Sequence, residues 1–356
     1  MIKINLNNSI LNTILRIESR RVLLSQIRIP ANISNRLRKN TKKISTYASN
    51  HIEGNPLNES QVSKIIDSDN RHFLKPEQEI RNYYLSINIL EEELRKKTPF
   101  SMSLILQTQK SIVKGASKEK IGIRGPMPPG YLFAVYDEKT GIPEYIPPEY
   151  KDIVPLLEEL IDYVNNSDDH PIIKAAVVHY QLVTIHPFED GNGRTARLMS
   201  GYVLDYYDYG FNQIGTIDEY FAYDIDEYYK SLQMGLPAPY YQGRNNPPHP
   251  EIWINYFLRM MDLFTEKIIS TVERSKNTNI NINSLAMLNK KERNFFEYIT
   301  ENNITIVKPI EFADIFSVSN KTITNWCAKL SQVGLLKPIL VKERITSYKR
   351  EVSQSD

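Results

Sequence analysis

The chain has 356 residues and a formal net charge of +2, so it is long enough for two or three domains and carries no global charge that would drive it onto nucleic acid or an anionic membrane. With 41% hydrophobic and 24% charged residues it has the composition of an ordinary soluble globular protein. Its one cysteine, Cys327, excludes an internal disulfide and a thiolate metal cluster and suits a reducing cytoplasm. The stretch from Met1 to Arg16 alternates apolar residues with Asn and lacks a signal-peptide core. No apolar run reaches the roughly 18 residues a membrane helix needs, so no membrane partner is expected.

In chain order the dominant pattern is helical. Ile33 to Glu53 carries apolar residues at three- and four-residue steps, and Gly54 with Pro56 marks its end. A second helix starts behind Asn58, with Gln61 in capping-box position, and runs towards Ile66. Glu77 to Lys96 and Ser101 to Val113 read as two more. Tyr131 to Pro147 is a hairpin: a β-prone run to Tyr136, the turn Asp137 to Gly141, and a return from Ile142 to Ile146. A helix from Tyr150 to Asn165 follows. His170-Pro171 opens another that stops at Pro187, because proline disfavours the helical conformation for the residue before it. The next helix buries Leu198, Tyr202 and Val203 and ends near Gly210. Tyr220 to Leu236 and Ile252 to Arg274 are helical stretches split by the loop Pro237 to Pro250, and the Asn-rich segment Ser275 to Ser284 reads as a linker.

From Leu285 to Arg350 the pattern changes. A helix from Lys290 to Glu301, the segment Ile310 to Phe316, a turn at Ser317 to Ser319, a helix from Asn320 to Gln332, and strand-like Leu335 to Val341 and Ile345 to Tyr348 form a winged helix-turn-helix pattern. The expected division is residues 1–100, 101–275 and 285–350. The expected fold is mainly α, with one β-hairpin and this small C-terminal unit.

Chemistry concentrates between the two helices that meet at Pro187. The run His186-Pro187-Phe188-Glu189-Asp190-Gly191-Asn192-Gly193-Arg194-Thr195-Ala196-Arg197 holds a base, an acid, a glycine loop and two guanidinium groups. Glycines on either side of Asn192 let successive backbone N–H groups converge, and the helix that follows turns its positive end to the same point. That is an anion site, suited to phosphate. A neutral imidazole at His186 can take a proton from a hydroxyl. Asp190 is one carboxylate beside such a loop, which suits Mg²⁺, an ion that draws its other ligands from phosphates and water. Arg194 and Arg197 lie on one helical turn and can both reach a polyphosphate. Pro187 and Phe188 read as structural.

At these residues the sequence resembles the Fic family, whose motif is His-Pro-Phe-x-Asp/Glu-Gly-Asn-Gly-Arg-x-x-Arg, and every fixed position of it is present. The resemblance extends over most of Gln107 to Leu258, including Tyr145-Ile146-Pro147-Pro148, Tyr228-Tyr229 and Leu232; Gln107 stands where many relatives have His. Fic proteins are mostly α-helical and typically transfer AMP from ATP to a Ser, Thr or Tyr hydroxyl of a protein. The resemblance implies His186 as the base and Asp190 as the Mg²⁺ ligand. The run Gly191, Asn192, Gly193, Arg194, Thr195, Ala196 and Arg197 becomes the nucleotide site. It also implies a flap, Leu132, Phe133, Ala134, Val135 and Tyr136, that pins the target segment by edge-strand pairing.

Ser49-Asn50-His51-Ile52-Glu53-Gly54 resembles the Ser/Thr-x-x-x-Glu-Gly/Asn inhibitory motif of autoinhibited Fic proteins. There Ser49, Glu53 and Gly54 are the inhibitory residues. If Glu53 pairs with Arg197, the γ-phosphate loses its partner; two unit charges about 4 Å apart at an effective dielectric near 20 interact by roughly 4 kcal/mol before desolvation. The resemblance also admits removal of AMP, and a homodimer. The alternatives are a solvated Glu53 before a glycine stop, and a DNA-binding regulator acting through Asn320, Lys321, Thr322 and Thr324 with a wing of Lys342, Arg344, Lys349 and Arg350. His51, His72, His170, His179 and His249 form no zinc spacing and read as structural or surface.

Overall fold

The computed structural model describes residues 4–350 apart from 28, 30, 69, 71, 118–120, 132, 137–140, 237–239, 242–248, 278–286, 303, 342 and 343. It is mainly α-helical and divides into two compact units, Met1–Ile269 and Ser270–Asp356. The first hundred residues thus belong to the same unit as the motif.

In the first unit, α1 (Asn8–Ser25), α2 (Ala31–Ile52), α3 (Glu59–Asp67), α4 (Lys75–Arg95) and α5 (Met102–Val113) precede a short hairpin. Helix α1 went unread in the sequence because its polar N-terminal turn hides a stripe of Ile10, Ile14, Ile17 and Leu24, all buried. Helix α2 ends where Gly54 takes a positive φ of 78°. Asn58 and Gln61 close a reciprocal capping box on α3, as their spacing predicts.

The hairpin is shorter than its sequence suggests. Strands β1 (Val135–Tyr136) and β2 (Pro143–Ile146) pair antiparallel with Val135 opposite Tyr145. A third strand, β3 (Tyr240–Tyr241), pairs parallel to β2 and was not foreseen. Leu132 and the turn at 137–140 lie outside the described residues.

Helices α6 (Tyr150–Asn166), α7 (Pro171–Ile185) and α8 (Asn192–Tyr206) follow. The α7–α8 pair is the centre of the unit. Ile172, Ala175, Ala176, Val177, Val178 and Tyr180 on α7, with Ala196 and Met199 on α8, are fully buried or nearly so. Hydrogen bonds from Ser200 Oγ to the Ala175 carbonyl and from Trp253 Nε1 to the Ala176 carbonyl, both 2.8 Å, tie α7 to its neighbours. The expected helix Tyr220 to Leu236 is two helices, α9 (Asp218–Tyr223) and α10 (Ile225–Gln233), because Asp224 leaves the helical region and caps the second through the Glu227 amide. Helix α11 (Pro250–Asn277) completes the series.

The second unit holds α12 (Lys290–Glu301), β4 (Ile306–Val307), α13 (Asn320–Gln332), β5 (Leu336–Val341) and β6 (Arg344–Arg350), with sheet order β4-β6-β5. Phe295, Ile299, Val307, Ile323, Cys327 and Leu330 build its own core. The segment Ile310 to Phe316 continues from a 3₁₀ turn at Pro309–Glu311 into irregular turns. Among the described residues no helix is long and apolar enough to cross a membrane.

Candidate active site

The site lies where α7 hands over to α8. His186 caps α7 in a left-handed conformation, φ 49° and ψ 57°, which turns the chain sharply into Pro187. Its Nδ1 lies 3.3 Å from the Val183 carbonyl. A carbonyl can only accept, so Nδ1 carries the proton and Nε2 keeps a lone pair. Burial, helped by the nearby Arg124 charge and opposed by the Val183 bond and by Glu53, lowers the imidazole pKa to about 4. The ring is therefore neutral near pH 7, the form a general base needs.

The loop is braced from within. Asn192 Oδ1 accepts from the Phe188 amide at 3.0 Å and its Nδ2 donates to the Phe188 carbonyl at 2.8 Å, so the carboxamide closes the turn. What Asn192 can offer an anion is its backbone amide. Gly191 takes φ 82°, and a Cβ there would press on Ile112 and Val113 at 3.3 Å. The first ladder bond of α8 runs from Thr195 N to Gly191 O, so the amides of Asn192, Gly193 and Arg194 have no intrahelical acceptor and form the cradle. Thr195 and Ala196, also expected at the nucleotide, are buried at 1% and 0% exposure, as Asn192, Arg194 and Arg197 nearly are.

Asp190 stands at the rim. Its Oδ1 accepts from Arg194 at 2.9 Å and its Oδ2 from Ser117 Oγ at 2.8 Å. Arg194 also faces Glu79 at 3.9 Å, and Glu79 is held by Asn55, just beyond Gly54, at 3.0 Å.

The geometry around Arg197 is explicit. Arg197 has no exposed side-chain surface and spends its guanidinium on α2 and α10. Nε donates to Ser49 Oγ at 2.7 Å, Nη2 to the Ser49 carbonyl at 3.0 Å and to Glu53 Oε1 at 2.7 Å, and Nη1 to the Tyr228 hydroxyl at 3.3 Å. Burial works against its charge, but Glu53, Tyr228 and Tyr83 outweigh that and hold the proton more tightly than water would. A Cβ on Gly193 would lie 2.3 Å from Glu53 Oε1. The carboxylate of Glu53 thus sits on the positive end of α8, where a phosphate oxygen would be favoured.

Several contributors lie outside the two contiguous motifs, although Tyr228 falls in the Tyr228-Tyr229 pair of the resemblance. Tyr228, which accepts from Arg197, donates to Nε2 of buried His179 at 3.1 Å; burial and the Arg197 charge keep that imidazole neutral. Asp218 accepts from Ser45 Oγ at 2.6 Å and Tyr83 at 3.2 Å, anchoring α2 from a position that sequence periodicity assigns no role. Arg124 joins the hairpin side to the loop, its guanidinium 4.6 Å from the Phe133 ring centroid. Beside it Phe133 and Ala134 are half-buried, as is Val135 on the edge strand β1, where Tyr136 is exposed.

Comparison with known proteins agrees with this geometry. Residues 99–204 match the Fic/DOC family. The protein adenylyltransferase Fic of Drosophila willistoni is 27% identical over 195 residues, which is 53% of this chain and 37% of that protein. The corresponding protein of Nematostella vectensis is 30% identical over 165 residues, 44% of this chain and 36% of its own length. The chain thus spans about a third of the length of these curated relatives. Among solved structures, a Fic family protein from Desulfovibrio desulfuricans G20 aligns over 100% of both chains with a TM-score of 0.63 at 17% identity. Fic-1 from Caenorhabditis elegans aligns over 75% of this chain and 73% of its own, with a TM-score of 0.59 at 21% identity. Residues 99–204 of the chain thus carry a Fic/DOC family domain.

Proposed function

We propose that the chain is a Mg²⁺-dependent protein adenylyltransferase that transfers AMP from ATP to a Ser, Thr or Tyr hydroxyl of a target protein or of itself, and that Glu53 holds it off. The observation that carries this reading is the Glu53 carboxylate lying against Gly193 and Arg197 beside a neutral imidazole. In that position it competes with the terminal phosphate of a nucleotide for one guanidinium.

With the latch open, the hydroxyl oxygen bonds to the α-phosphorus, the bond to pyrophosphate breaks, and the hydroxyl proton passes to Nε2 of His186. The cradle amides neutralise the charge that develops, and Arg194 and Arg197 hold the outgoing pyrophosphate. Asp190 fits Mg²⁺: it is a single hard carboxylate at the rim, and no group of three His, Cys, Asp or Glu occurs among the described residues to suit a protein-caged metal. A bound Mg²⁺ would neutralise phosphate charge. The edge strand β1 offers the target segment main-chain pairing.

Incubation with labelled ATP tests the proposal. Covalent label on the Glu53→Gly protein that disappears with His186→Ala supports it; no label on either removes it. Removal of AMP from a modified protein is the reverse assignment of the same site, and Glu53 is near enough to His186 to raise its proton affinity.

A second reading concerns the second unit, inferred to be a winged helix-turn-helix. Leu285 to Arg350 has eleven Lys or Arg against six Asp or Glu, a net of +5, and α13 exposes Asn320, Lys321, Thr324 and Asn325. DNA contact by that face predicts duplex affinity that falls steeply with salt, and no binding at low salt dismisses it. Cytoplasmic residence and a homodimer are the accompanying expectations; the buried Cys327 thiol, pushed up to about 12, is inert and suits the former.

A further inference from the structure

We propose that Arg124 is the positioning residue of this site, fixing the backbone turn at His186 and linking it through Phe133 to the flap. The proposal rests on His186 being the base.

Arg124 reaches the catalytic loop from 62 residues upstream. Its amide donates to the Pro187 carbonyl at 2.9 Å, its Nε to the His186 carbonyl at 2.9 Å, and its Nη2 to the Pro148 carbonyl, just before α6. The neighbouring Ile123 forms an antiparallel bridge with Phe188. Residues 123 and 124 therefore run as a strap along 187 and 188. The side chain is only 3% exposed, and among the described residues no carboxylate pairs with it.

That is an unusual place to spend a cation. Burial alone pushes its pKa down. An arginine retained for stability would be expected to find an anion, whereas this one takes backbone carbonyls at the negative end of α7. The turn it holds needs holding: His186 is a non-glycine residue at φ 49°, a strained conformation that persists only when its surroundings over-determine it. Without the strap, that carbonyl loses its partner and the imidazole its fixed direction.

The link to the flap is equally direct. The guanidinium covers the Phe133 ring, and the Phe133 and His186 rings lie 5.8 Å apart, tilted by 43°. A segment that docks on β1 therefore presses on the group that aims the base. Lysine cannot substitute, because one ammonium does not reproduce the planar fork that spans the His186 and Pro148 carbonyls.

The test is Arg124→Lys and Phe133→Leu in full-length protein carrying Glu53→Gly, with kcat, KM for ATP, and the tautomer of His186 read by nitrogen-resolved NMR. Arg124→Lys should lower kcat by about 100-fold, the scale of a misplaced catalytic group, while KM for ATP stays put. The Nδ1–H signature of His186 should give way to a tautomer mixture. If Arg124→Lys fails to fold, Phe133→Leu, at a half-buried flap position, should still lower kcat and shift the His186 ring signals. The charges acting on that ring, Arg124 and Glu53, are both controlled in this set. An unchanged kcat and tautomer in both variants, or a loss confined to KM, overturns the proposal. If the Glu53→Gly parent transfers nothing, the adenylyl-transfer reading fails, and the NMR arm alone decides the role of Arg124.

Discussion

At the scale of single residues, the Arg197 guanidinium bonds to three residues, Ser49, Glu53 and Tyr228, through four contacts. Ser49→Ala removes the Nε bond of Arg197 and leaves the Ser49 carbonyl and Glu53 in place. A hydrogen bond to a charged group contributes about 1.5–3 kcal/mol, so this variant should label itself faster than wild type by about tenfold or more, yet slower than Glu53→Gly. Equal rates for Ser49→Ala and wild type would contradict the latch geometry. The base makes a second prediction. The folded-state pKa of His186 lies at about 4, below its value in the unfolded chain, so its neutral form survives acidification well past pH 6. The kcat of Glu53→Gly should show no His186 limb near pH 6.5, and a limb there that Arg124→Lys leaves unmoved would mean that the ring is solvated. Asp205 gives a third, with the opposite sign. Burial raises its pKa to about 7, so between about 4 and 7 the folded state binds the extra proton and stability falls as pH rises, by up to about 1.4 kcal/mol per pH unit. Asp205→Asn should therefore raise Tm at pH 8 more than at pH 5; an equal change at both would contradict it.

At the scale of elements, the parts that sequence revealed are those whose signal is local. The capping box at Asn58 and Gln61, the end of α2 at Gly54, and the spans Lys290–Glu301 and Asn320–Gln332 follow from patterns within a few residues. Asn58→Ala should cost about 1 kcal/mol, seen as a lower Tm; no shift would show that α3 is held by packing alone. Elements that depend on distant partners stayed hidden. Strand β3 exists because Tyr240 and Tyr241 meet β2 about a hundred residues away, and β4 because Ile306 and Val307 find β6. The site divides the same way. His186, Asp190, the glycines, Arg197 and Glu53 stand in contiguous motifs, whereas Arg124, Tyr228, His179 and Asp218 act through partners dozens of residues distant.

At the scale of the whole molecule, one compact unit contains both the α7–α8 loop and the turn that carries Glu53. The proposed restraint would therefore be intramolecular and independent of protein concentration. A chain ending at Asn277 should keep a folded first unit and the same ratio of Glu53→Gly to wild-type labelling, measured by circular dichroism and label incorporation; loss of that ratio would place the restraint in the second unit. The central claim is that a neutral His186 activates a hydroxyl beside a nucleotide seated where the Glu53 carboxylate now lies. Intact-mass spectrometry after exposure to ATP and Mg²⁺ tests it most directly. Glu53→Gly should gain the mass of one or more AMP groups, wild type far less, and Glu53→Gly with His186→Ala none. An unmodified Glu53→Gly protein that still binds ATP, or modification that survives His186→Ala, would contradict the account.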